Sequence, residues 1–300
     1  MMLLLAAAAL PMLFWDAPPS SAPALREAGI ASIRVPEARL NKWRSVTGVS
    51  VEAAGLDGLV KLIPPGVQYR PNTATASREP WIDSNGWQFL RNPQGRFYYD
   101  VPGAAAALAA AEAFCFGGEA LIHTDAAGLG PFGAMVRFLR GLGGSGPGVA
   151  DILVRGDGSD AAAEVMNLLV RNNLLFSAAP LPGDSFQLTV GPPFDPAQDP
   201  SLAVHDIRAR LTDDKRSLRI YGSSVVIGRL TALPGGIRVH LLNYAATERS
   251  VNGIRVRVAG RYRKPEQPDL FDFTVEQNAT EFTLPKLDSY TVVDLTRQTP

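Results

Sequence analysis

The 300-residue chain has one cysteine, Cys115, and only three histidines, His123, His205 and His240. A single cysteine excludes an intramolecular disulfide and any cysteine-based zinc cluster. Histidines this far apart show no His-x-x-x-His ligand spacing, so neither a metal nor another cofactor is expected. A surplus of charge is missing too, since 29 Lys and Arg balance 29 Asp and Glu. A dedicated binder of nucleic acid or of an anionic membrane needs an excess of basic residues, and no nucleic-acid partner is expected here. Neither a Walker lysine motif nor a G-x-S-x-G elbow occurs. Gly141-Leu142-Gly143-Gly144-Ser145-Gly146 has the letters of G-x-G-x-x-G, but that fingerprint works when a strand feeds the glycines and a helix follows them. Here a helix is expected before the glycines, so they read as a flexible turn.

What the chain does have is apolar mass: 46% of its residues are hydrophobic and 19% charged, a balance that buries a core and argues against disorder. Its length exceeds the roughly 250 residues at which single cores stop growing, so two domains are expected. The longest apolar run, Met1 to Trp15, is too short at about 1.5 Å per residue to cross a hydrocarbon core of about 30 Å. Ala22-Pro23-Ala24 behind it has the small-residue pattern that signal peptidase cuts, although no basic residue precedes Arg26. Residues 1–24 therefore read as a signal peptide. The mature protein is then exported, periplasmic or extracellular, with no transmembrane span.

Two halves with different periods follow. Residues 25–200 alternate short apolar runs with helical stretches, the pattern of β-α units around a parallel sheet. Strands are expected at Ile30–Val35, Val49–Ala53, Val67–Arg70, Ala120–His123, Asp151–Val154 and Leu174–Phe176. Helices are expected at Pro36–Val46, from Pro102 to Gly117, around Phe132–Leu142, and from Ser159 or Asp160 to Leu169. The aromatic stretch from Trp81 to Val101 reads as a long loop or hairpin. From 201 to 300 the period becomes two: Ile237, Val239 and Leu241 alternate with Arg238 and His240, and Ile254, Val256 and Val258 alternate with Arg255 and Arg257. Such half-buried antiparallel strands predict a β-sandwich, with His240 facing solvent or a domain interface. The fold class expected is thus an α/β part, an open or partial barrel-like parallel sheet with helices, followed by an all-β antiparallel sandwich. Residues 1–200 carry a net −4 and residues 201–300 a net +4.

Candidate site residues come from expected strand ends, where parallel α/β folds place their ligands. His123-Thr124-Asp125 and Arg155-Gly156-Asp157-Gly158-Ser159-Asp160 both stand there. Trp81, Asp83, Asn85 and Trp87 set polar groups among flat aromatic faces, a composition suited to stacking on sugars. Each has a structural alternative: Asp125 and Asp157 as turn formers, Ser159 and Asp160 as helix caps, the aromatic loop packed on its own core. Glu112 reads as a solvated or locally paired helix carboxylate, and Cys115, between Phe114 and Phe116, as packing.

Three stretches carry a family resemblance. Arg219-Ile220-Tyr221-Gly222, Arg238 to Tyr244 and Gly253 to Val258 resemble the C-terminal β-sandwich of bacterial glycoside hydrolases. Asp151 to Phe176 resembles the opening of the amidotransferase-like domain between barrel and sandwich in β-galactosidase-type enzymes. Trp81 to Asp100 with Ala111-Glu112-Ala113-Phe114 looks like the closing part of a barrel. The chain is similar to exported bacterial proteins of that architecture. The resemblance implies either a carbohydrate- or envelope-protein-binding module, or a glycoside hydrolase with paired carboxylates chosen among Asp83, Asp125 and Asp157. In the second case Asn85 and His123 would orient the sugar, and Trp81 or Trp87 would stack on it. No Asn-Glu dipeptide occurs, and the α/β part is short of the roughly 250 residues of a full (β/α)8 barrel. Both departures favour binding over strong catalysis.

Overall fold

A computed structural model of the chain describes residues 10–68, 80–144, 146–180, 186–194, 199–266 and 268–298. They gather into two units, one drawn from residues 7–66 and 92–144, the other from 67–91 and 145–300.

The first unit begins with β1 (Met12–Phe14), α1 (Ala22–Glu27), β2 (Ser32–Val35), α2 (Glu37–Trp43), β3 (Ser50–Ala53) and β4 (Val60–Leu62). The chain leaves it through β5 (Gly66–Gln68), β6 (Trp81–Asp83) and α3 (Gly86–Arg91). It returns as β7 (Arg96–Val101), α4 (Ala106–Phe116), β8 (Glu119–Thr124) and α5 (Leu129–Gly141). The sheet order is β3-β2-β1-β8-β7-β4, with every pair parallel. The stretch expected as a loop or hairpin over Trp81–Val101 is not one, because β6 pairs with β5 while β7 lies inside the six-stranded sheet. Phe97, Tyr99 and Val101 alternate inward on β7 and give the strand a face to bury. β1 stands between β2 and β8, with Leu13 fully buried, inside the segment expected to be a leader. Cleavage at Ala22–Ala24 and this sheet exclude one another.

β3 and β4 are consecutive in the chain yet occupy opposite edges. Laid flat, five strand spacings of about 4.8 Å would separate the edges by roughly 24 Å. The steps from Ala53 to Val60 reach at most about 25 Å when fully extended, and here a turn closes between Leu56 and Leu59. The sheet therefore curls. One of its faces is covered by helix: Tyr99 donates its hydroxyl hydrogen to Glu112 of α4 at 2.7 Å, and Leu13, Ile33, Phe97 and Ile122 share that buried side. Glu112, expected as a solvated or locally paired helix carboxylate, is instead fully buried with Tyr99 of β7 as a partner, and this bond offsets part of the cost of taking it out of water. The opposite face, on the inside of the curl, carries Phe14, Arg34, Glu52, Asp100 and His123 at one register level. Gly117, at φ 71°, ends α4 in the left-handed conformation that glycine adopts without strain.

The second unit contains a three-stranded parallel sheet, ordered β10-β9-β11, from β9 (Ile152–Val154), β10 (Phe176–Ser177) and β11 (Leu188–Val190), with α6 (Asp160–Arg171) and α7 (Pro200–Leu211). The sandwich follows. β12 (Leu218–Tyr221), β15 (Val251–Ala259), β17 (Ala279–Leu287) and β16 (Phe271–Val275) form one antiparallel sheet. β13 (Val226–Leu233), β14 (Gly236–Asn243) and β18 (Tyr290–Thr296) form the other. Ile237, Val239 and Leu241 meet Ile254, Val256, Val258 and Phe282 in one core, which also takes Leu175 from the segment before β10. Asp151 ties the same region to the sandwich by accepting from Ser217 N at 2.9 Å and Ser217 Oγ at 2.5 Å.

The two-residue period holds on β15, where Arg255 and Arg257 point outward to pair with Glu281. On β14 it needs correcting. Arg238 and His240 are 4% and 1% exposed, so His240 does not face solvent. Arg238 is held by both oxygens of Asp294 at 2.7 Å. His240 bridges Thr231 Oγ1 at 2.9 Å and Tyr290 Oη at 2.7 Å. Polar side chains can sit inside when such partners replace water, and alternation alone does not reveal the partners.

Candidate functional site at the carboxyl ends of the parallel strands

Four neighbouring strands of the curled sheet bring a row of ionisable groups together. Asp16 follows β1, His123 is next to last on β8, Asp100 is next to last on β7, and Lys61 lies on the edge strand β4. The register sets Phe14 and Asp100 on either side of His123. His123 Nδ1 lies 2.8 Å from Asp100 Oδ1, and Lys61 Nζ lies 3.5 Å from Asp100 Oδ2. The hydrogen bond from His123 is the main influence that holds the Asp100 carboxyl below its usual range, with the charges of His123 and Lys61 adding to it. An ionised carboxylate can only accept, so Nδ1 donates to Asp100, and Nε2 is turned toward Asp16 Oδ1, 3.5 Å away. The Phe14 ring meets the imidazole edge-on at 5.9 Å between centroids. Asp16, Asp100 and His123 border an open cavity of about 590 Å³, lined also by Trp15, Thr124 and Asp125 among others.

Of the residues expected from sequence, His123 and Asp125 share this cavity. Asp125 caps the turn before α5: its carboxylate accepts from Ala127 N at 2.8 Å, Gly128 N at 3.2 Å and Gly103 N at 3.0 Å. Asp83 and Asp157 belong to the other unit. Asp83 accepts from Gln68 Nε2 at 2.5 Å, and burial pushes its carboxyl up against the opposing effects of that bond and of Arg171. Asp157 accepts from Ser159 N and Oγ at 3.0 and 2.6 Å, which pulls its carboxyl down. Ser159 in turn caps α6 through Ala162 N. One face of Trp81 is occupied by the Arg171 guanidinium, 3.2 Å from the ring centre. Asn85 is fully buried at the start of α3, where it accepts from Gln88 Nε2 at 3.3 Å, and Trp87 is half-buried in α3.

The fold is fucosidase-like. The chain superposes on alpha-L-fucosidase isoenzyme 2 from Paenibacillus thiaminolyticus with a TM-score of 0.56 at 9% sequence identity, covering 87% of this chain and 70% of that one. No family model and no curated protein matches the sequence. The fucosidase-like fold supports a glycosidase-type architecture of α/β part followed by antiparallel sheets. Among the described residues no helix is long and apolar enough to cross a membrane, and no group of three or more His, Cys, Asp and Glu is arranged to hold a metal ion.

Sequence reasoning passed over Asp16, Asp100 and Lys61. A signal existed, because Phe14-Trp15-Asp16, Tyr99-Asp100-Val101 and Ile122-His123-Thr124 each place an ionisable group at the end of an apolar run. What the arrangement offers is an imidazole oriented by one carboxylate, with its other nitrogen facing a second carboxylate across an open cavity. Such a group can accept hydrogen bonds from a ligand or exchange a proton with it.

Proposed function

We propose that the chain binds glycan in the cavity between Asp16, His123 and Asp100, with little or no hydrolysis. The observation that carries this reading is the row of carboxylates along the strand ends: sugars present vicinal hydroxyl donors to such a surface. Strong hydrolysis needs a protonated carboxylic acid as well as a base or nucleophile. Asp100 is held as the anion, and Asp125 already accepts three backbone N–H groups.

One observation favours the second reading, a glycoside hydrolase with paired carboxylates. Asp16 and Asp100 flank a single imidazole, so their nearest oxygens are at most about 8.5 Å apart, inside the roughly 5 to 9.5 Å window of two-carboxylate glycosidases. Export is proposed on the apolar run of residues 1–15 alone, with the run retained because β1 lies in it. An envelope protein remains an alternative ligand within the proposal.

Titration calorimetry against a glycan panel, with reducing-sugar release measured in parallel, tests these readings. The parent should bind saturably without releasing sugar, and His123→Ala should weaken binding at least tenfold with its thermal unfolding little changed. Equal binding by His123→Ala would remove the cavity from the function. Sugar release that disappears in Asp16→Asn would install the hydrolase reading instead.

A further inference from the structure

A second cavity of the first unit, of about 720 Å³, reaches the amino ends of β1, β2 and β8, the opposite end from Asp16 and Asp125. Pockets of roughly 300 to 1,000 Å³ with mostly apolar walls and a few polar groups are the usual form of a small-molecule site. Part of its wall is the inside of the curl. Met12 and Leu121 are register partners there, two residues before Phe14 and His123, so they point to the same side as those two. Ser32, two residues before Arg34, stands on that side as well and is exposed, and Leu10 and Met12 are only half-buried.

The helix α5 supplies another part. Gly133, Val136 and Arg140 follow at the three- and four-residue spacing of one helix face. A Cβ at Gly133 would collide with Ala28 O, so glycine there lets the helix lie against the segment before β2, and Arg137 Nη1 donates to Ala28 O at 3.4 Å. That contact brings the last turns of α5, with Val136 and Arg140, to the cavity wall. Four charged side chains line the space. Arg34 is paired with Glu52, and Arg96 with Glu119 at 3.6 Å. Among the described residues no carboxylate pairs with Arg140, which is exposed at the rim.

We propose that this cavity binds a medium-chain fatty acid, with the carboxylate at Arg140 and the alkyl chain over Val136, Met12 and Leu121. One uncompensated guanidinium calls for one negative charge, and its planar fork matches a carboxylate. The apolar wall matches a chain that carries no hydrogen-bonding group, whereas sugar hydroxyls laid against Leu10, Met12 and Leu121 would lose water without gaining partners. No residue lines both this cavity and the one between Asp16 and His123, so the inference stands apart from the glycan-binding reading.

The test is titration calorimetry on the full chain at pH 7.5, below the micellar range, with octanoate, decanoate and decyltrimethylammonium. Decanoate should bind at least tenfold more tightly than decyltrimethylammonium, which has the same chain and the opposite charge. It should also bind about tenfold more tightly than octanoate, because two more methylenes are buried. Arg140→Gln should bring decanoate and the cation within about threefold. Ser32→Trp, which fills the cavity from an exposed position, should weaken decanoate at least tenfold with the unfolding temperature little changed; Val136→Gln reads the same wall if Ser32→Trp does not fold. No binding of decanoate by the parent, equal or tighter binding of the cation, or equal binding of the two acids overturns the inference. So does a charge preference that survives Arg140→Gln, or decanoate binding that is unchanged when the wall is altered.

Discussion

His240 makes the stability of the sandwich depend on pH with a definite sign. Its imidazole is fully buried, and burial, with the nearby charges of Arg229 and Arg238, holds its pKa well below the usual 6.5. The folded chain therefore keeps His240 neutral at a pH where the unfolded chain takes up a proton. Below pH 6.5 the unfolded state binds more protons, so stability falls as pH falls, by up to about 1.4 kcal/mol per unit, and levels off above 6.5. Integrated from pH 7.5 to 5.0, the loss reaches at most about 2 kcal/mol. Comparison with His240→Gln isolates the effect, because other groups titrate alike in both proteins and cancel. Glutamine can still donate to one neighbour and accept from another among Thr231 and Tyr290. Amide exchange in a peptide spanning residues 236–243 reads the opening free energy of β14 without requiring the whole chain to unfold as one unit. The parent's advantage over the variant should shrink across this range, by at most about 2 kcal/mol. A difference that stays constant to within about 0.5 kcal/mol would refute the assignment of a neutral, buried His240.

Val256 is fully buried in the sandwich core, so Val256→Asp should abolish soluble expression or cost more than about 3 kcal/mol. Arg257→Ser removes ion pairs to Glu276 and Glu281 but leaves the buried Glu281 paired with Arg255, so it should cost clearly less than Val256→Asp; similar melting temperatures for the two variants would contradict the assigned faces. Asp125→Ala strips a cap from three backbone N–H groups and should lower stability by about 1 to 2 kcal/mol in thermal unfolding, whereas an unchanged midpoint would leave its carboxylate free for chemistry. A chain starting at Leu25 lacks β1, the strand between β2 and β8, and should be insoluble; a soluble product with the parent's circular dichroism would show that β1 is dispensable and reopen cleavage of the leader.

Some features were legible because they depend on neighbours in sequence. A helix start such as Ser159 before α6, a helix stop such as Gly117 after α4, and the alternation on β15 each involve residues a few positions apart. Alternation did not disclose that β14 is covered on both sides, because whether Arg238 and His240 find Asp294, Thr231 and Tyr290 depends on a strand 50 or more residues away or across a hairpin. Glu112 read as a solvated or locally paired helix carboxylate, and its burial against Tyr99 on a strand of the sheet was not legible.

The candidate site divides in the same way. Apolar runs that end in Trp15-Asp16, Tyr99-Asp100 and Ile122-His123 are properties of the sequence, and strand period and turn chemistry suffice to place such groups near strand ends. That Asp16 and Asp100 fall on either side of one imidazole is not. It follows from β1 inserting beside β8 and β7 lying on its other side, an order set by long-range packing of buried faces and crossover connections. Local propensity decided the elements and their buried faces; the tertiary structure alone decided which strand ends became neighbours, because parallel strands pair across connections whose length carries no information about the partner.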